Sequence, residues 1–189
     1  MLESLKSENF WKIARRYFVL NGFDGILTVL GITAGSFSTQ VGNPKVLITS
    51  CLGSAIALGV SGISGAYITE KAERLKEFKE LQNTMLDDLE ESVHKKNVTQ
   101  RSIAISVVNG ASPFLLALFS TLPYFIALLG FLSMQYAYYF SGGIALLLLG
   151  LLGAFLGKIS KENLLIYGLK MVGVGILTAL LSLTLGLGG

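Results

Sequence analysis

The sequence predicts an all-α membrane protein with five transmembrane helices. Its N-terminus lies in the cytoplasm, its C-terminus lies outside, and its second helix extends into a charged cytoplasmic helix. Three observations predict this. Of 189 residues, 52% are hydrophobic and 14% charged, with mean hydropathy +0.63, which is more apolar surface than a soluble core hides. Five apolar runs each approach the ~20 residues that cross a hydrocarbon core. Lys and Arg fall almost wholly on one set of connections, which fixes sidedness. The 22 glycines against 3 prolines suit helices that pack closely in lipid.

Taken in order, residues 1–16 read as an N-terminal interfacial amphipathic helix, with Leu5, Trp11 and Ile13 as anchors. Residues 17–69 hold the first two spans, Tyr17–Ser38 and Val46–Ile68. Residues 70–101 carry neither Gly nor Pro and are rich in helix formers, so the second span is expected to continue into them without a cap. Residues 102–189 hold the remaining spans, Ile103–Leu128, Tyr136–Gly157 and Leu164–Leu187. Pro113 and Pro123 lie inside the third, where a bend is expected and not a break.

The basic residues of the N-terminal segment (Lys6, Lys12, Arg15, Arg16), of the charged segment (Lys71 to Arg101) and of the fourth connection (Lys158, Lys161) share one side, against Lys45 alone on the other. That side is the cytoplasm by the positive-inside rule. No signal or transit peptide pattern is evident, and a multi-pass protein of a prokaryotic cell membrane is the simplest expectation.

Several function classes drop out. A net charge of +3, dispersed along the chain, gives no footprint for nucleic acid. One cysteine, Cys51, excludes an intrachain disulfide. The one histidine, His94, lies in the charged segment, so no nucleophile–His–acid set forms, and there is no HExxH, paired CxxC or phosphate loop. The chain is not expected to be an enzyme or to hold a permanent cofactor.

The chemistry gathers around Asp24, the one acid inside a predicted span. A carboxylate near a helix centre costs ~2.5–3.5 kcal/mol on translocon scales, so it should face the bundle interior, a partner or water. Asn21 and Thr28 lie three residues before and four after it, on one helical stripe. Oxygen ligands on one face suit a hydrated divalent cation or a proton relay. The other reading is a structural ion pair between Asp24 and Lys170, the one base inside a span, both roughly 10 Å deep.

Glu70, Glu73, Glu77, Glu80, Asp87 and Glu91 form a stripe at helical spacing along the charged segment. They read either as a metal collector, to which His94 adds a nitrogen, or as a solvated face tied by pairs such as Glu70–Arg74 and Glu73–Lys76. An apolar stripe from Leu75 through Met85 to Val93 suits a protein partner or a short coiled coil. Gly59, Gly62 and Gly65 read as a dimer seam beside the ion path or as close contacts within one subunit.

These residues bear a resemblance that covers nearly the whole chain in order. "NGFDGILTVLGITAGS" resembles the first-helix signature of the vacuolar iron transporter family, and "GISGAYITEKAERL" its second-helix end. "GASPFLLALFSTLPYFIAL" resembles its third helix and "YGLKMVGVGILTALLSLTLG" its last. The resemblance implies a homodimer with the ion path between its copies, exporting Fe²⁺ or Mn²⁺ from the cytoplasm against protons. It places the family's intramembrane aspartate on Asp24 and its glutamate-rich metal-binding helices on residues 70–101. Two departures stand out. The family's glutamate after the second-helix glycine falls on Ala66, and a methionine one turn earlier falls on Gly62. The insertion allows one long helix and a return, and not three metal-binding helices. A competing expectation is therefore a non-transporting membrane protein of the same fold whose charged helix binds a protein.

Overall fold

The computed structural model describes residues 8–85 and 93–187. Five helices follow one another: α1 (Glu8–Ser38), α2 (Pro44–Met85), α3 (Val93–Leu128), α4 (Met134–Ser160) and α5 (Leu164–Leu187). Each contains a stretch long and apolar enough to cross a membrane: Trp11–Ser38, Pro44–Glu77, Ile103–Leu128, Met134–Ser160 and Leu164–Leu185.

The separate interfacial helix expected over residues 1–16 is not separate where it is described, because residues 8–16 are the first turns of α1. No Gly or Pro interrupts Glu8 to Asn21, so the backbone ladder simply continues, and the Arg15 Nε reinforces it by donating to Trp11 O at 3.1 Å.

α2 starts as its sequence dictates. Pro44 takes the first helical position, where no N–H is needed, and Asn43 Oδ1 accepts from Lys45 N at 3.0 Å. With no further proline, it runs unbroken for 42 residues, about 63 Å. The hydrocarbon core is ~30 Å thick, so the charged half of α2 projects beyond it.

α3 is continuous through both prolines. Pro113 leaves the carbonyl of Asn109 without its N–H, and Ser112 Oγ donates to that oxygen instead, at 3.3 Å. Between α4 and α5, Lys161 adopts left-handed backbone (φ 57°, ψ 32°), and Glu162 N donates to Gly157 O at 3.0 Å, closing α4 in a Schellman-type turn.

α1 lies at the centre. Val19, Ile26 and Leu30 pack on Ala145, Leu149 and Leu152 of α4, while Val29 packs with Cys51 and Ala55 of α2 and Ala117 of α3. Glycine permits the close crossings. A Cβ on Gly25 of α1 would sit 2.6 Å from Pro113 O, and one on Gly153 of α4 would sit 2.5 Å from Tyr167 O of α5.

The helices alternate in direction, so the start of α1 and the end of α4 meet at one end of the bundle. At the opposite end the α1–α2 turn meets the start of α4, where the Tyr138 hydroxyl donates to Val41 O at 2.7 Å. Lys12, Arg15, Arg16, Lys158 and Lys161 share the first end and Lys45 lies at the second, which is the asymmetry read from the sequence.

Candidate ion site on the first helix

The three residues of the α1 stripe point to different places. Asn21 turns inward: its amide donates to the Oδ1 of Asn109 on α3 and lies 3.3 Å from Tyr17 O. Asn109, itself buried, donates to Gly62 O on α2 at 2.8 Å. One amide pair thus ties α1, α3 and α2 together. Thr28 Oγ1 donates to the backbone carbonyl of Asp24 at 2.8 Å, so its proton is committed within the helix. Asp24 is exposed on the outside of the protomer. The stripe is therefore not a single converging ligand set within one chain.

The ion pair that the sequence allowed is not formed. No salt bridge joins Asp24 and Lys170 among the described residues, and the Lys170 ammonium lies 5.0 Å from the ring centroid of its own neighbour Tyr167. Equal depth in two spans does not imply adjacency when the side chains face different ways. Asp24 is left in a membrane-length helix with no countercharge among the described residues of its own protomer.

The acidic stripe divides along its length. Glu70 is buried at 4% exposure, one turn beyond Ala66, which is equally buried on the same face of α2. Glu73, Glu77 and Glu80 are exposed, and Glu80 pairs with Lys76 at 3.8 Å. Asp87 and Glu91 lie outside the described residues, as do the side chains of Met85 and His94. No group of three or more His, Cys, Asp or Glu side chains converges among the described residues.

The glycines of the expected seam also divide. A Cβ on Gly59 would lie 3.1 Å from Gly110 O of α3, and one on Gly62 would lie 3.3 Å from Asn109 O, so both serve contacts within the protomer. A Cβ on Gly65 would meet nothing within 4 Å among the described residues. Sequence spacing serves either kind of contact, which is why it did not separate them.

Asn109 was missed in reading the sequence. Its signal was an amide inside an apolar span, "VVNGASP", next to a glycine and four residues before a proline. At the opposite end of the bundle a second buried network is saturated. Tyr124 donates to Thr33 Oγ1 at 3.0 Å, Thr33 and Ser141 hydroxyls lie 3.3 Å apart, and Ser141 donates to Ser120 O at 2.7 Å.

Comparison with known proteins agrees with this architecture. The model of the VIT family matches the chain over residues 15–101 and 75–187, which together span nearly all of it. An uncharacterised protein of Methanocaldococcus jannaschii is 32% identical over 169 residues, covering 88% of this chain and 85% of that protein. With five membrane-length helices among the described residues and a family match reaching from residue 15 to residue 187, the chain belongs to the VIT, or vacuolar iron transporter, family, whose members are membrane transporters of metal ions.

Proposed function

We propose that the protein exports a divalent cation, Fe²⁺ or Mn²⁺, from the cytoplasm in exchange for protons, as a homodimer with Asp24 on the path between the two copies. The observation that carries this reading is the exposed Asp24 on a membrane-length helix, with no ion-pair partner among the described residues. Facing lipid, that carboxylate costs ~2.5–3.5 kcal/mol. Facing a second copy across a hydrated seam, two carboxylates stay solvated and present oxygen ligands to a hard cation or accept a proton. The seam we propose is lined by α1 near Asp24 and by exposed positions of α2 such as Gly65, while Gly59 and Gly62 hold α2 against α3. The exposed acids Glu73 and Glu77, at the end that carries most of the basic residues, would meet ions at the cytoplasmic mouth.

The test is metal-driven proton movement in proteoliposomes. Wild type is expected to acidify or alkalinise the lumen when Mn²⁺ or Fe²⁺ is added on one side, and Asp24→Asn to reduce this to the level of empty vesicles. Undiminished flux in Asp24→Asn removes Asp24 from the mechanism.

A second reading has its own observation. Ala66 and Gly62 stand where the family resemblance expects a carboxylate and a soft ligand. A protein of this fold without transport, using the projecting end of α2 as a protein-binding helix, is the outcome if neither metal moves and no metal binding saturates.

A further inference from the structure

A groove of about 510 Å³ opens on the outside of the bundle between α1, α4 and α5, at the end where most basic residues gather. Its mouth carries Lys12, Arg15 and Arg16, which stand at i, i+3 and i+4 on one face of α1. Its floor continues deeper along that face through Leu20 and Phe23, closed by Leu156 of α4 and Met171 of α5. From Lys12 to Phe23 the helix rises about 16 Å, so the groove runs from a cationic mouth into the apolar zone of the span. Among the described residues no carboxylate lines it. Trp11 stands at the same level, 57% exposed, as an aromatic does at a membrane surface.

The two arginines keep donors to spare. Arg15 commits Nε to Trp11 O and retains its terminal N–H groups. Arg16 lies 5.5 Å from the Tyr17 ring centroid and shares a side-chain hydrogen bond with that residue, which takes one of its five N–H donors.

We infer that this groove binds one anionic diacyl phospholipid, its phosphate held by Lys12, Arg15 and Arg16 and one acyl chain laid over Leu20 and Phe23. Charge complementarity selects this occupant. A zwitterionic lipid brings a cation of its own to a mouth that already has three. A free phosphate leaves the apolar floor uncovered. A second copy docked symmetrically on the groove would bring the same three cations face to face. The inference rests on the placement of α1 in a membrane and not on transport, so its failure leaves the proposed function standing.

The test uses the full chain purified in mild detergent, with dioleoyl phosphatidylglycerol and dioleoyl phosphatidylcholine as probes and retained lipid counted by native mass spectrometry. Phosphatidylglycerol is expected to be retained about tenfold more tightly than phosphatidylcholine. The triple variant Lys12→Gln, Arg15→Gln, Arg16→Gln is expected to lose that preference. Leu20→Trp, which fills the floor and keeps the cations, is expected to lose it as well. Lys158→Gln with Lys161→Gln, at the same end but outside the groove, is expected to keep it. If the triple variant fails to fold, Lys12→Gln alone and Leu20→Trp carry the comparison. Equal retention of the two lipids, displacement by inorganic phosphate, or an equal loss in the Lys158 and Lys161 variant overturns the proposal.

Discussion

Helix α1 carries polar groups at two levels, and the two are treated in opposite ways. Near its end, Thr33 sits in a closed relay in which Tyr124, Thr33 and Ser141 each give a proton to the next oxygen and the last is the backbone carbonyl of Ser120. All of these side chains are buried. Two and a half turns earlier, Asp24 is exposed and has no partner of opposite charge among the described residues of its protomer. In hydrocarbon a saturated relay holds helices together and has nothing left to offer a ligand. An unsaturated charge holds nothing within the chain and stays available. On the proposed reading the first level is structural and the second functional.

The sharpest way to break that contrast is to change Asp24 and ask for the wrong effect. Asp24→Asn should stop metal-driven proton flux yet leave thermal unfolding in detergent within about 0.5 kcal/mol of wild type, because the substitution keeps the side chain's shape and breaks no ion pair among the described residues. A large destabilisation would make Asp24 structural. The neighbouring residue is expected to do the reverse. Gly25 faces Pro113 with room for no side chain, so Gly25→Leu should force α1 from α3 and cost about 1–3 kcal/mol or more, read as a lower unfolding temperature. Asn109→Ala leaves the Asn21 amide and Gly62 O without their partner and should cost about 1–3 kcal/mol by the same measurement. Tyr124→Phe removes one donor from the relay, and membrane hydrogen bonds of this kind average about 0.6 kcal/mol, so a small fall with flux retained is expected.

Much of the fold was legible because span length and apolar composition are written directly in the chain. The last span, expected over Leu164–Leu187, is the helix Leu164–Leu187, and the fourth, expected over Tyr136–Gly157, lies within Met134–Ser160. The start of α1 was not legible, since Lys12, Arg15 and Arg16 resemble a surface helix whether or not the backbone bends after them. The site was legible only as a residue type. Residues three apart on a helix differ by about 60° in direction, so a stripe containing Asn21 and Asp24 can straddle the boundary between inside and outside. Nothing in the spacing of α1 reveals that Asn109, on another helix, draws Asn21 inward. The glycine pattern of α2 likewise serves α3 and a second copy equally well, and only the packed structure separates Gly59 and Gly62 from Gly65.

The central claim, that Asp24 borders a water-filled ion path, is open to direct measurement because the chain's one cysteine, Cys51, is fully buried. In a Cys51→Ala background, Asp24→Cys in membrane vesicles is expected to react with a charged, water-soluble methanethiosulfonate, and Mn²⁺ is expected to slow the reaction. A thiol at that position that stays inert to the charged reagent, while an uncharged, lipid-soluble maleimide labels it at a rate indifferent to metal, would place residue 24 in lipid and contradict the account.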